Sequence, residues 1–157
     1  MNRRKLLEIL VTGGGAVLAA AVAIPSLLLA ISPAFVRRKA EWQPLAALEQ
    51  FPTGEVTPAI VQVPRDDWAK SLREKQVYVW RRAEDELIVY SRNCTDLSCP
   101  VNWDRGSQCF FCPCHGGIFD LDGTPLAGPP AVPLYRYATR VKQGVLEIDL
   151  HSLPPMT

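Results

Sequence analysis

The longest uniform stretch of the chain is apolar, because residues 9–36 carry no charged side chain. Those 28 residues, as a helix rising about 1.5 Å per residue, would extend roughly 42 Å, which exceeds the roughly 30 Å hydrocarbon core of a bilayer. This pattern predicts a transmembrane helix. Gly13-Gly14-Gly15 and Pro25 weaken a helix in water but are tolerated in a bilayer, where small residues also permit close approach of a neighbouring helix. Residues 37–67 differ in character: Pro44, Pro52, Pro58 and Pro64 interrupt any clear periodicity, and the stretch reads as an extended connector, part of which can add an edge strand. Beyond it the apolar positions gather in short β-prone runs. Val77-Tyr78-Val79-Trp80 and Leu87-Ile88-Val89-Tyr90 flank a charged stretch and predict one hairpin. Residues 135–141 and 145–150 flank Lys142-Gln143-Gly144 and predict a second. Between the hairpins, residues 94–133 hold all five cysteines and much of the glycine and proline, with little room for a helix. The organisation expected is an anchor over 1–36, a connector over 37–67 and an all-β domain over 68–157 with a loop-rich insert at about 94–133.

Composition narrows the function. With 48% hydrophobic and 21% charged residues in 157, one folded domain plus an extension is expected. A net charge of +1 offers no concentrated basic face, so nucleic acid is excluded as a partner. Arg3, Arg4 and Lys5 precede the apolar stretch and Arg37, Arg38 and Lys39 follow it, so counting basic residues does not orient it. Arg3-Arg4 followed by Lys5-Leu6-Leu7 looks like a twin-arginine export signal, which places the soluble part on the extracytoplasmic side of the membrane. A cleaved signal, with Ser32 and Ala34 ahead of the cut, is the alternative. The apolar run is long for it, because a signal's hydrophobic region spans about 7–15 residues.

Cys94 stands just ahead of four further cysteines at positions 99–114, which is ligand or disulfide spacing. Two segments carry them: Cys94-Thr95-Asp96-Leu97-Ser98-Cys99-Pro100 and Cys112-Pro113-Cys114-His115-Gly116-Gly117. Cys109-Phe110-Phe111-Cys112 is by itself a C-x-x-C of the zinc kind, but a zinc ribbon needs a second such pair that the chain lacks. The two segments, followed by Gly128-Pro129-Pro130, resemble the loops of the Rieske iron-sulfur family. That resemblance implies an antiparallel β-sandwich with a cluster-binding subdomain and a [2Fe-2S] cluster held by two thiolates on one iron and two imidazoles on the other. It assigns Cys94, Cys112 and His115 as ligands and Cys99–Cys114 as a disulfide, a bond that an exported location permits. The family's first-loop histidine is here Asp96. Either this carboxylate takes the vacant iron position or it caps its own loop through backbone hydrogen bonds. Leu97, Pro129 and Pro130 are expected to pack over the cluster. Cys109 and His151 are read as a buried strand cysteine and a surface residue.

By the same resemblance the chain is the redox subunit of a quinol:cytochrome c oxidoreductase. His115 accepts the proton of a quinol such as menaquinol, and the electron passes to a c-type haem. Its partners are then a cytochrome b subunit, a c-type cytochrome, the quinol and membrane lipid. Two alternatives stay open: the Rieske subunit of another exported oxidoreductase of the arsenite oxidase kind, and a cluster-free structural subunit. Replacing a neutral imidazole by a carboxylate adds negative charge to the centre. Gly117 and Phe119 stand where high-potential relatives carry the hydroxyls of serine and tyrosine. Each change disfavours the reduced form, so a redox titration should give a midpoint at or below about −150 mV. A high positive potential would contradict this expectation.

Overall fold

The computed structural model describes residues 2–35, 39–63 and 74–154 and divides the chain into two compact units, Met1–Lys39 and Ala40–Thr157. The first unit is a single helix, α1 (Arg3–Phe35). Within its segment Arg3–Ser32 an 18-residue window has a mean hydropathy of 2.2 and no buried residue, so the helix is long and apolar enough to cross a membrane. Pro25 has no N–H for the carbonyl four residues back. The next residue's hydroxyl bonds the same turn, as Ser26 Oγ donates to the Val22 carbonyl at 2.8 Å.

The second unit is all-β, as the short β-prone runs predict. Its larger sheet is built from β1 (Trp42–Ala47), β2 (Val56–Gln62), β3 (Glu74–Arg81), β4 (Leu87–Ser91), β9 (Arg136–Lys142) and β10 (Val145–Asp149), in the order β1-β10-β9-β4-β3-β2 and antiparallel throughout. Its edge strands β1 and β2 also touch each other, so the sheet curls toward a barrel. Both expected hairpins form. The β9–β10 turn places Gln143 at φ 52° and Gly144 at φ 75°, the left-handed pair that a two-residue hairpin loop needs.

The connector reading of 37–67 needs correction, because β1, a turn of 3-10 helix at Leu48–Gln50 and β2 all lie within it. The folded unit therefore starts well before position 68. Prolines misdirected the expectation. Pro44 and Pro58 stand in β1 and β2, the two edges of the sheet, where a strand tolerates a residue without an N–H. Positions 36–38 and 64–67, and the boundary expected at 68, lie outside the described residues.

The insert between β4 and β9 makes a smaller antiparallel sheet of β5 (Asn102–Asp104), β6 (Cys109–Cys112), β7 (Gly117–Phe119) and β8 (Pro125–Ala127). Although some forty residues separate them in sequence, β4 and β9 are neighbours, joined by Val89↔Tyr137 and Tyr90↔Arg136. The insert therefore leaves and re-enters the large sheet at one place. Alternation along the strands then divides the core in two. Val77, Val79 and Val89 face Phe51, Val61, Tyr137, Leu146 and Ile148 inside the curled sheet. Tyr78, Trp80, Ile88 and Tyr90 point the other way, onto Phe110, Phe119, Cys94 and Cys112 of the insert.

Phe110 is the pivot of that second cluster. It is fully buried and meets the rings of Tyr78, Tyr90 and Trp103 at centroid distances of 5.4, 5.3 and 4.7 Å. Tyr78 Oη also donates to the Val101 carbonyl and accepts from the Trp103 N–H, both at 3.3 Å, which fastens the insert to β3. Phe110→Ala should destabilise the domain by about 3–5 kcal/mol, the cost of removing a large buried ring. Urea unfolding of the full chain in detergent measures it, and a loss below about 1 kcal/mol would show that the two layers do not depend on this contact.

Candidate metal centre

Each cysteine-bearing segment is shaped by short backbone bonds. In the first, the Cys94 N–H donates to the Cys99 carbonyl at 2.8 Å and the Ser98 N–H to the Cys94 carbonyl at 3.0 Å, while an isolated bridge joins Asn93 and Pro100. Ser98 takes a left-handed φ of 57° to close this turn. Cys94 is thereby pulled inward, to 3% exposure, and Leu97 is turned out at 68%. The second segment is the turn of the β6–β7 hairpin. Cys112 pairs with Gly117, and the Gly116 N–H donates to the Cys112 carbonyl at 3.1 Å. Alternation along β6 sends Phe110 and Cys112 into the core, leaving Cys112 at 2% exposure, while His115 sits at the exposed tip.

The two turns meet. Cys94 and Cys112 are buried in one core cluster, and burial is the main cause that raises the Cys94 thiol above its ordinary range. The Asp96 N–H points at the Cys94 sulfur and favours the thiolate, partly opposing that rise. Further out, His115 Nδ1 lies 3.1 Å from Asp96 Oδ2. A carboxylate only accepts, so in the free chain the proton of this contact sits on Nδ1 and the Nε2 edge is left open. His115 keeps 48% of its side-chain surface exposed. Cys99 and Cys114 are joined as a disulfide with a Cα–Cα distance of 6.5 Å, which ties the two turns together.

A third segment locks both turns from one side. Gly128, at φ +89°, lies so close that a Cβ there would sit 2.7 Å from Gly117 Cα and 2.8 Å from the Gly116 oxygen. At Gly117 a Cβ would come within 2.8 Å of Pro130 Cγ. The first turn is held by Thr95 Oγ1, which donates to the Val132 carbonyl at 2.8 Å. Of the residues expected to pack over the centre, Pro130 is buried, whereas Leu97 and Pro129 are exposed. Gly117 therefore has no room for a side chain unless Pro130 yields, and Phe119 is fully buried without a hydroxyl. Sequence reasoning missed Thr95, whose partner is 37 positions away and leaves no local signal.

The remaining candidates stand apart. Cys109 lies on the opposite face of β6 from Cys112, and its thiol donates to the Ser107 carbonyl at 3.3 Å. His151 Nε2 is 3.1 Å from Glu41 Oε2, beside the end of β10. Among the described residues, the sulfurs of Cys99, Cys112 and Cys114 lie within 4.8 Å of one another, but two of them are tied up in the disulfide and offer no thiolate. The donors that converge are thus two buried thiols and a carboxylate–imidazole pair, with one member of each pair from each turn. A zinc ribbon's four thiolates are not assembled. A two-iron cluster, in which each metal takes two protein ligands, fits this two-plus-two set.

Comparison with known proteins agrees. The family model described as the Rieske [2Fe-2S] domain matches residues 41–138, starting where β1 starts. The chain is similar to the menaquinol:cytochrome c reductase iron-sulfur subunits of Bacillus subtilis (strain 168) and Geobacillus thermodenitrificans. Identity is 31% and 32% over 152 residues, covering 93% of this chain in both and 90% and 89% of those proteins. It is also 31% identical over 141 residues to the cytochrome b6-f complex iron-sulfur subunit of Chlorobaculum thiosulfatiphilum, covering 90% of this chain and 71% of that one. With the matched region spanning most of the chain and its donor set suited to the cofactor, this protein belongs to the Rieske [2Fe-2S] domain family.

Proposed function

We propose that this chain is the membrane-anchored electron-transfer subunit of a quinol:cytochrome c oxidoreductase, oxidising a quinol of the menaquinol class and passing the electron to a c-type haem. The observation that carries the reading is the pairing of donors by depth: two thiols buried in the core, and an imidazole held by a carboxylate at the surface. Similarity to menaquinol:cytochrome c reductase subunits over about nine-tenths of their length supports this role above the other exported oxidoreductases.

In this reading Cys94 and Cys112 hold the inner iron and Asp96 and His115 the outer one. His115 Nδ1 and Asp96 Oδ2, 3.1 Å apart, are the two donor atoms that would hold the outer iron, which would displace the proton they share. When bound, the [2Fe-2S] cluster supplies a one-electron acceptor. The chain supplies the proton site. With Nδ1 turned toward Asp96, His115 presents Nε2 outward, where, once it has lost its own proton, it accepts the hydrogen bond of a quinol hydroxyl and then its proton. Gly117 and Phe119 offer no hydroxyl to the sulfurs, and the anionic Asp96 adds charge. Together they bias the centre toward the low potential that a menaquinol-type donor requires.

The helix α1 anchors the domain in membrane lipid, and the twin-arginine-like start supports a domain on the extracytoplasmic side, beside a cytochrome b subunit and a c-type cytochrome. Asp96→His tests the ligand assignment. The variant should keep its iron and show a midpoint raised by on the order of 100 mV or more, because a neutral ligand replaces an anionic one. An unchanged potential and an unchanged paramagnetic resonance spectrum of the reduced protein would remove Asp96 from the ligand set.

A further inference from the structure

The disulfide and the innermost ligand share one nest of sulfur. Cys112 Sγ lies within 4.8 Å of both sulfurs of the Cys99–Cys114 bond, and Cys94 is buried in the same core cluster as Cys112. Cys112 and Cys94 are almost fully buried, and Cys99 packs against the same core cluster, whereas Cys114 is exposed. A thiolate held against a disulfide attacks it without waiting for a diffusing reagent.

From this four-sulfur arrangement we infer that Cys112 is a thiol–disulfide exchange residue whenever it is not holding iron, so that loss of the cluster is converted into a moved disulfide that blocks reloading. The inference rests on the reading that Cys112 is an iron ligand. The Cys112 thiolate attacks Cys99 Sγ, a Cys99–Cys112 bond forms, and the Cys99–Cys114 bond breaks. Cys114 departs as the thiolate, since it alone of the pair is exposed to water, and takes up the proton that Cys112 lost. A second exchange, by the Cys94 thiolate on Cys112, returns Cys99 as a thiol and leaves a Cys94–Cys112 bond. Every stage holds one disulfide, so no external oxidant or reductant is consumed. Iron prevents the first step because the sulfur lone pair is committed to the metal.

The test is disulfide mapping by mass spectrometry on the full chain in detergent. Iron-loaded protein and protein stripped anaerobically with a chelator are held at neutral pH, alkylated at intervals and digested. Stripped protein should lose the Cys99–Cys114 linkage to Cys99–Cys112 and Cys94–Cys112 over minutes to hours, at a constant one disulfide per chain, while iron-loaded protein keeps it. Persistence of Cys99–Cys114 alone in the stripped chain would overturn the proposal, as would equal loss in a stripped Cys112→Ser variant. Should that variant fail to fold, Cys109→Ser serves in its place: it removes a thiol outside the nest and must leave the exchange rate unchanged, and an abolished exchange would reassign the nucleophile and reject Cys112. Equal exchange with iron bound would instead reject Cys112 as a ligand, and the switch with it.

Discussion

The pairing of β4 with β9 is the constraint on which the centre depends. Val89↔Tyr137 and Tyr90↔Arg136 bring together strands separated by the whole insert, so both ends of that insert are clamped to one sheet. Closing so long a loop costs entropy, and the compensation is the apolar face that Tyr78, Trp80, Ile88 and Tyr90 turn toward Phe110 and Phe119. Cys94 and Cys112 belong to that same buried cluster. Their thiols are therefore positioned by the packing that folds the domain, and the carboxylate and imidazole follow one turn further out.

The inner and outer donor pairs stand in different surroundings, and the division suits their tasks. Buried thiols in a dry core exclude competing ligands and water, while a half-exposed imidazole can meet a reductant from outside. Polar hydrogen-bond donors around the sulfurs are sparse. At Gly117 the Pro130 ring fills the space in which a hydroxyl could stand, and at Phe119 an aromatic ring occupies the core. On the proposed reading, a low potential would be a packing property of this chain as much as a matter of its ligand charge.

Much of this was legible in the residues. The β-prone runs at 77–80 and 87–90 and the glycine turn at 144 gave both hairpins, and the cysteine spacing brought out the two converging turns. What stayed hidden was non-local. Edge strands β1 and β2 carry prolines that read as connector until the sheet order places them at its margins. The Thr95–Val132 bond, the contact of Gly128 with Gly117 and the meeting of Asp96 with His115 depend on tertiary closure and leave no trace in any short window. Leu97, expected to cover the centre, stands 68% exposed on the tight turn at 94–99.

The central claim is an iron site with one imidazole and one carboxylate. The chain has two histidines, and His151 is engaged with Glu41 at the end of β10, away from both turns. Electron–nuclear double resonance on the reduced protein, with histidine nitrogens isotopically labelled, counts the coordinated imidazoles directly. The account predicts a single strongly coupled imidazole, lost in His115→Ala and unaffected by His151→Ala. Two coupled imidazoles, or none in an iron-loaded sample, would contradict it.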